Sequence, residues 1–175
     1  MAKEGNLLVT FEPTHQDSAL KEISALLKEV NEKGDILKAE EGVAELIVKD
    51  AKKSVKELAK LSIKSIDKFA YTSHWIPIDE WCKNAVEDMQ KSIKGFAKDI
   101  KQSEKWKMDL KVRKVKEKPD EIKLIMKLTE VVDKPNVDLQ NPDKIIKVEI
   151  IGNKAGLALL GKDELLNVAK LKQEK

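Results

Sequence analysis

Two stretches of the chain hold residue types that could do chemistry. In the first, His74, Trp75, Asp79, Glu80, Trp81 and Cys82 lie close together. A cysteine beside a histidine can form a thiolate nucleophile, which would make the chain a cysteine-dependent enzyme. The surrounding pattern argues against this. Ile78, Cys82, Ala85, Met89, Ile93, Phe96, Ala97 and Ile100 predict one long helix from about Asp79 to Lys101, with Cys82 on its buried stripe, where a thiol is inert. Trp75 could stack on a base, but its place in the segment TSHWIPI fits a plug between two domains better. His15 has no partner in sequence, and the acid pairs Glu40-Glu41 and Asp79-Glu80 fit a turn and a helix start rather than acid–base catalysis. No catalytic residue and no metal ligand is assigned.

The second stretch, Lys98 to Lys118, holds nine basic residues against four acidic ones in a chain whose net charge is only +3. Within it Trp106, Met108, Leu110 and Val112 alternate with Lys105, Lys107, Asp109, Lys111 and Arg113, so an extended strand would present an apolar face and a cationic one. Same-face side chains recur at about 6–7 Å, a spacing suited to successive phosphates. The candidate nucleic-acid contacts are Lys98, Lys101, Lys105, Lys107, Lys111, Arg113, Lys114 and Lys116, with Lys94 on the preceding helix extending the row. An ordinary solvated face of a lysine-rich protein would carry the same charges. Arg113 is the only arginine, so bidentate phosphate recognition is limited, and binding should depend on salt more than on sequence.

The elements that must position these residues follow from length and periodicity. A chain of 175 residues, 41% hydrophobic and 37% charged, has enough apolar material for two small cores under a densely charged surface. The single Cys82 excludes an internal disulfide framework and a multi-cysteine zinc site, and it suits a reducing compartment. No apolar run approaches the roughly 20 residues that span a bilayer, so the chain is expected to be cytoplasmic and without a membrane partner. The first half predicts a strand at Leu7 to Phe11 and a helix from Thr14 to Glu32 ending near Gly34. Strands follow at Ile36 to Ala39 and Val43 to Lys49, then a helix from Lys52 with Val55, Leu58, Ala59 and Ile63 inward, and a last strand at Ile66 to Tyr71. This βαββαβ order predicts a ferredoxin-like domain over residues 1–70.

In the second half a helix opens at Pro119-Asp120-Glu121, with Ile122, Ile125, Met126 and Leu128 or Thr129 inward. Lys144 to Ile151 then forms a β-branched strand, Gly152-Asn153 a type II′ turn, and Ala155 to Leu160 the returning strand.

The run Asn136 to Gly161, NVDLQNPDKIIKVEIIGNKAGLALLG, together with DLKVRKV at Asp109 to Val115, resembles a THUMP domain, the tRNA-binding module of several tRNA-modifying enzymes. The likeness covers roughly residues 70–165. It implies an α/β (α+β) protein with a ferredoxin-like domain at 1–70 and a THUMP domain with a mixed sheet at 71–175. It implies folded RNA rather than DNA as ligand, gripped at the acceptor-stem region of tRNA. The chain has no glycine-rich phosphate loop, no pyrophosphatase-like S-G-G loop, no cofactor-binding strand-turn and no deaminase pattern, so neither a cofactor nor an active site is expected. It is similar to the stand-alone THUMP adaptors that deliver tRNA to a separate acetyltransferase for cytidine acetylation. Two other readings stay open: the RNA-binding part of a thiouridine synthetase or methyltransferase, and a protein–protein scaffold with no RNA ligand.

Overall fold

A computed structural model describes residues 4–174 of the chain. They form two compact units, one running up to Ile78 and resuming at Asp163, the other spanning Asp79–Lys162.

The first unit begins with β1 (Leu7–Phe11), followed by α1 (Gln16–Glu29), β2 (Gly34–Glu40), β3 (Val43–Val48), α2 (Ala51–Lys64) and β4 (Thr72–Pro77). The βαββαβ order is the expected one, and the strands lie antiparallel in the order β2-β3-β1-β4. Helix α1 stops short of Gly34. Asn31 takes a positive φ of 59°, and the Glu32 N–H bonds back to the Leu27 carbonyl, a left-handed cap that ends the helix. The α2 stripe also differs from expectation: Ile63 is 77% exposed and Ser62 is buried, its hydroxyl donating to the Ala59 carbonyl. Position 62 lies seven residues after Val55, almost two full turns, whereas position 63 has already rotated off the face.

The last strand is shifted. Ile66–Lys68 is a 3-10 turn, and β4 occupies Thr72–Pro77, where Trp75 lies opposite Val9. Trp75 is fully buried among Val9, Ile23, Leu58 and Phe69, so it belongs to the core of the first unit. Its indole N–H donates to Thr72 Oγ1 at 3.1 Å. The division between units therefore falls after Ile78 rather than after residue 70. The tail differs as well: β9 (Leu166–Asn167) adds to β4, and α5 (Val168–Gln173) follows it, with Leu166 and Val168 in the first core.

The second unit runs β5 (Glu80–Lys83), α3 (Val86–Ala97), β6 (Trp106–Arg113), α4 (Glu121–Thr129), β7 (Lys144–Ile151) and β8 (Lys154–Leu160). Its sheet has the order β5-β8-β7-β6, with β6 and β7 parallel and the other pairs antiparallel. The mixed sheet and the α+β class agree with the sequence reading. The single long helix does not form: residues 80–83 are an edge strand paired to β8, and only Met89, Ile93, Phe96 and Ala97 of the expected stripe lie buried on α3. Ile78 and Cys82 happen to extend the helical spacing of Met89 backwards, and a four-residue strand is too short to show its own period.

The helix opens where expected, but Asp120 is its cap, accepting the Lys123 N–H, so Pro119 stands just before the helix and not in its first turn. The inward side of α4 is Leu128 with Leu124 and Ile125, whereas Ile122 and Met126 are exposed. The hairpin forms as expected: Ile151 pairs with Lys154 around Gly152-Asn153, and Gly152 has φ 62°. Among the described residues no helix is long and apolar enough to cross a membrane.

Because Leu166 and Val168 fill the first core, ending the chain at Lys162 should remove roughly 3–6 kcal/mol of apolar burial, a large part of a domain's net stability. Urea unfolding should show a lower midpoint for the first unit, followed by the near-ultraviolet signal of Trp75.

Candidate nucleic-acid interface

Strand β6 alternates as its sequence requires. Trp106, Met108, Leu110 and Val112 are buried in the core with α3 and α4, and Lys107, Asp109, Lys111 and Arg113 face away from those helices. Its parallel neighbour β7 does the same, placing Ile146, Val148 and Ile150 inward and Lys147 and Glu149 on the polar face. Register sets Asp109 beside Lys147 and Lys111 beside Glu149.

This arrangement does not leave all the cations available. Glu149 is completely buried and binds Arg113 Nε at 3.0 Å through Oε2. Lys147, only 5% exposed, stands 3.0 Å from Oε1 and 3.3 Å from Asp109, although its approach to Oε1 lacks the alignment of a hydrogen bond. Arg113 thus compensates a buried carboxylate, which is a structural duty. Lys105 lies 3.6 Å from Asp138, at the entry to β6. Among the described residues, Lys98, Lys101, Lys107, Lys111 and Lys116 make no ion pair. Lys107 and Lys111 are therefore the strand's cations with charge to offer.

The remaining candidates are distributed around this edge strand. Lys98 caps the end of α3 and, with Lys94 and Lys134, lines a cleft of about 300 Å³ on the helical side. Lys101 is exposed beyond it. Lys114 and Lys116 line a larger cleft of about 600 Å³ at the carboxyl ends of parallel β6 and β7, over an apolar floor that includes Val112, Leu124 and Ile150. That end of a parallel pair is where open α/β sheets commonly take ligands. The seven lysines and one arginine proposed from sequence therefore flank the β6 edge on both sides of the sheet instead of forming one row.

Acids organise the entry to β6. The Asp138 carboxyl lies below its ordinary range because it accepts the backbone N–H groups of Asn141 and Gln140, with the Lys105 charge adding to this. Glu104 is lowered chiefly by the hydrogen bond from Lys144 at 2.8 Å and further by the Lys101 N–H.

Cys82 sits on β5 rather than on a helix, and its thiol is pushed up by burial and then by the charges of Asp88 and Glu80, which holds it protonated at neutral pH. His74 Nδ1 lies 3.1 Å from Thr10 Oγ1.

The sequence reading missed Lys134, Lys147, Glu149 and the strand formed by residues 80–83. For Lys147 and Glu149 the signal was present, since KIIKVEII places both opposite Ile146, Val148 and Ile150.

The family model for the THUMP domain matches residues 83–160. These residues form a THUMP domain. The match starts at the last residue of β5 and ends with β8, so it contains the β6 edge and both clefts. Solved structures extend the likeness to most of the chain. PH1313 from Pyrococcus horikoshii Ot3 superposes with a TM-score of 0.61 and 17% identity, over 88% of this chain and 53% of that one. TrmN from Thermus thermophilus gives 0.55 and 17% over 87% and 44%, and a possible methylase from Clostridium difficile 630 gives 0.56 and 11% over 90% and 41%. At such identity the likeness is one of fold. The chain spans about half the length of these proteins or less. No curated protein matches it.

Two outcomes test this description of the THUMP domain. Glu149→Gln leaves Arg113 and Lys147 facing a neutral group in a buried place and should cost about 3–5 kcal/mol in urea unfolding. Asp138 and Glu104 have folded-state values below the unfolded ones, so their stabilisation is present above the unfolded carboxylate values, about 3.9 and 4.3, and is lost as pH falls through the lower folded values. Carboxyl carbon shifts followed by NMR should show both midpoints below those numbers, and Asp138→Ala should loosen the 138–141 turn.

Proposed function

We propose that the chain binds tRNA and presents it for modification, acting without an active site of its own. The THUMP domain at 83–160 carries this reading, because THUMP domains serve RNA binding in tRNA modification. The charge arrangement supports it. Lys107 and Lys111 stand on the face of an edge strand turned away from the helices, and Lys98, Lys101 and Lys116 flank the same strand. Cations on an edge strand also prevent another strand from adding there. Point charges of this kind dock phosphates without reading bases, so selectivity for folded RNA rests on shape and 2′-hydroxyl contacts.

The finer reading is an adaptor with an N-terminal ferredoxin-like module, handing the acceptor region of tRNA to a separate cytidine acetyltransferase in the cytoplasm. The antiparallel βαββαβ body of the first unit and the protonated Cys82 thiol support this reading. A second reading is favoured by one observation. The similar solved structures are about twice as long as this chain, and one is a possible methylase, so the same two units would suit the RNA-binding part of a larger modifying enzyme.

The discriminating variant is Lys107→Glu with Lys111→Glu, because neither lysine supports the fold through an ion pair. Arg113→Glu would instead place two carboxylates together and unfold the sheet. Filter binding to bulk tRNA at two salt concentrations should show the double variant weakened for all sequences, with a salt slope smaller by about two units and an unchanged melting curve. Binding that is undetectable in the wild-type chain, or equally tight in the variant, removes this reading.

A further inference from the structure

Two tight turns shape the cleft of about 600 Å³ at the carboxyl ends of β6 and β7. Just after β6, Lys114 takes a positive φ of 56°, a left-handed backbone that a lysine seldom adopts, and Val115, Lys116 and Glu117 follow it as one wall. The Gly152-Asn153 turn of the β7–β8 hairpin forms another. Asn84 ties that turn to the end of β5: its Nδ2 donates to the Gly152 carbonyl at 2.9 Å, and its backbone N–H donates to the Asn153 carbonyl at 3.2 Å. A lysine held at positive φ opposite a pinned turn gives the cleft a fixed shape in the free protein.

Floor and rim differ in chemistry. Val112 and Ile150 are buried and Leu124 half-buried, so the floor is apolar and continuous with the core of the sheet. The rim is polar and unsatisfied within the fold. Among the described residues Lys116 and Glu117 make no ion pair, and the side-chain amide of Asn153 makes no hydrogen bond. A hydrocarbon chain would cover the floor and leave the amide and the ammonium unanswered, whereas a bare phosphate would answer the ammonium and leave the floor wet. A nucleotide meets both requirements, because its base joins an apolar face to a hydrogen-bonding edge and its phosphate lies one sugar away.

We propose that this cleft takes one unpaired nucleotide of the bound RNA, with the base over Val112, Leu124 and Ile150, its edge against Asn153 and Glu117, and its phosphate at Lys116. This rests on the RNA-binding reading above and deepens it. A base inside a duplex has its faces stacked and its edge paired, so only an unpaired segment can enter. The Glu117 carboxylate accepts and cannot donate, so it favours bases with an exocyclic amine over uracil. Lys116 is a point charge that holds phosphate without reading sequence. The lysines of β6 would then dock the backbone, and the cleft would distinguish single strand from duplex.

The test follows the Val112, Val115 and Leu124 methyl groups and the Asn153 side-chain amide of the full chain by NMR. A short single-stranded RNA should shift them saturably, oligocytidylate should bind more tightly than oligouridylate, and a blunt RNA duplex should leave them still. Asn153→Ala should weaken single-strand binding about tenfold, and Lys116→Gln should reduce its salt slope by about one. Melting curves should not change, because neither side chain bonds within the fold. Adenosine monophosphate should bind on the order of a hundredfold more weakly than the oligomer, whose other phosphates reach further lysines. Equal affinity for the free nucleotide, or equal shifts from the duplex, would overturn the site. Cleft resonances that stay still while RNA binds through Lys107 and Lys111 would also overturn it and leave the RNA-binding reading standing. An absence of any RNA binding would overturn both.

Discussion

A β-strand has two faces, and β6 gives one of them entirely to the core. Trp106, Met108, Leu110 and Val112 close over α3 and α4, so every charge the strand carries must emerge on the other side. Strand β6 is also the edge of its sheet, with Val137 bridging it at Trp106. Parallel pairing with β7 then decides which charges are spent on structure. It brings Glu149 and Lys147 alongside, and the buried Glu149 carboxylate draws in Arg113. The distribution of available positive charge in the THUMP domain follows from this one strand and its register.

The consequence for function is a division of labour among similar residues. Arg113, the residue whose planar fork is best suited to phosphate, compensates a buried acid instead. Lys107 and Lys111 carry the outward charge, and Lys105 is tempered by Asp138. A cationic strand read only as a string of charges therefore overstates the interface. The same register assembles Trp81, Lys83 and Lys154 at the opposite edge, on the same face, from segments some seventy residues apart in the chain.

The sequence reading succeeded where a period was long enough to be unambiguous, and it failed at short elements. The β6 alternation, the β7–β8 hairpin with Gly152 and the start of α4 at Pro119-Asp120-Glu121 were all legible because each has a local cause: pleat, positive φ and the residue preferences of a helix start. Strand β5 was lost because four residues cannot establish a period and Cys82 falls by accident on the helical spacing of Met89. Strand β4 was misplaced because Ile66 to Tyr71 and Thr72 to Pro77 are similarly apolar, and only pairing with β1 chooses between them. The same limit explains Trp75, which was read as a plug between two domains although its ring fills the first core.

What the chain determined by itself were the local conformations and the family likeness, since turn residues, caps and alternation act within a few positions of themselves. It also determined that positive charge would gather between residues 98 and 118. Which of those charges remain available was decided only by the tertiary structure, because an ion pair depends on which strand lies alongside and in what register. Tertiary pairing likewise returned the tail from Asp163 onward to the first unit, where β9 completes a sheet begun more than 150 residues earlier. Proximity across such a separation is bought with the burial of Leu166 and Val168, a non-local energy that no short window of sequence contains.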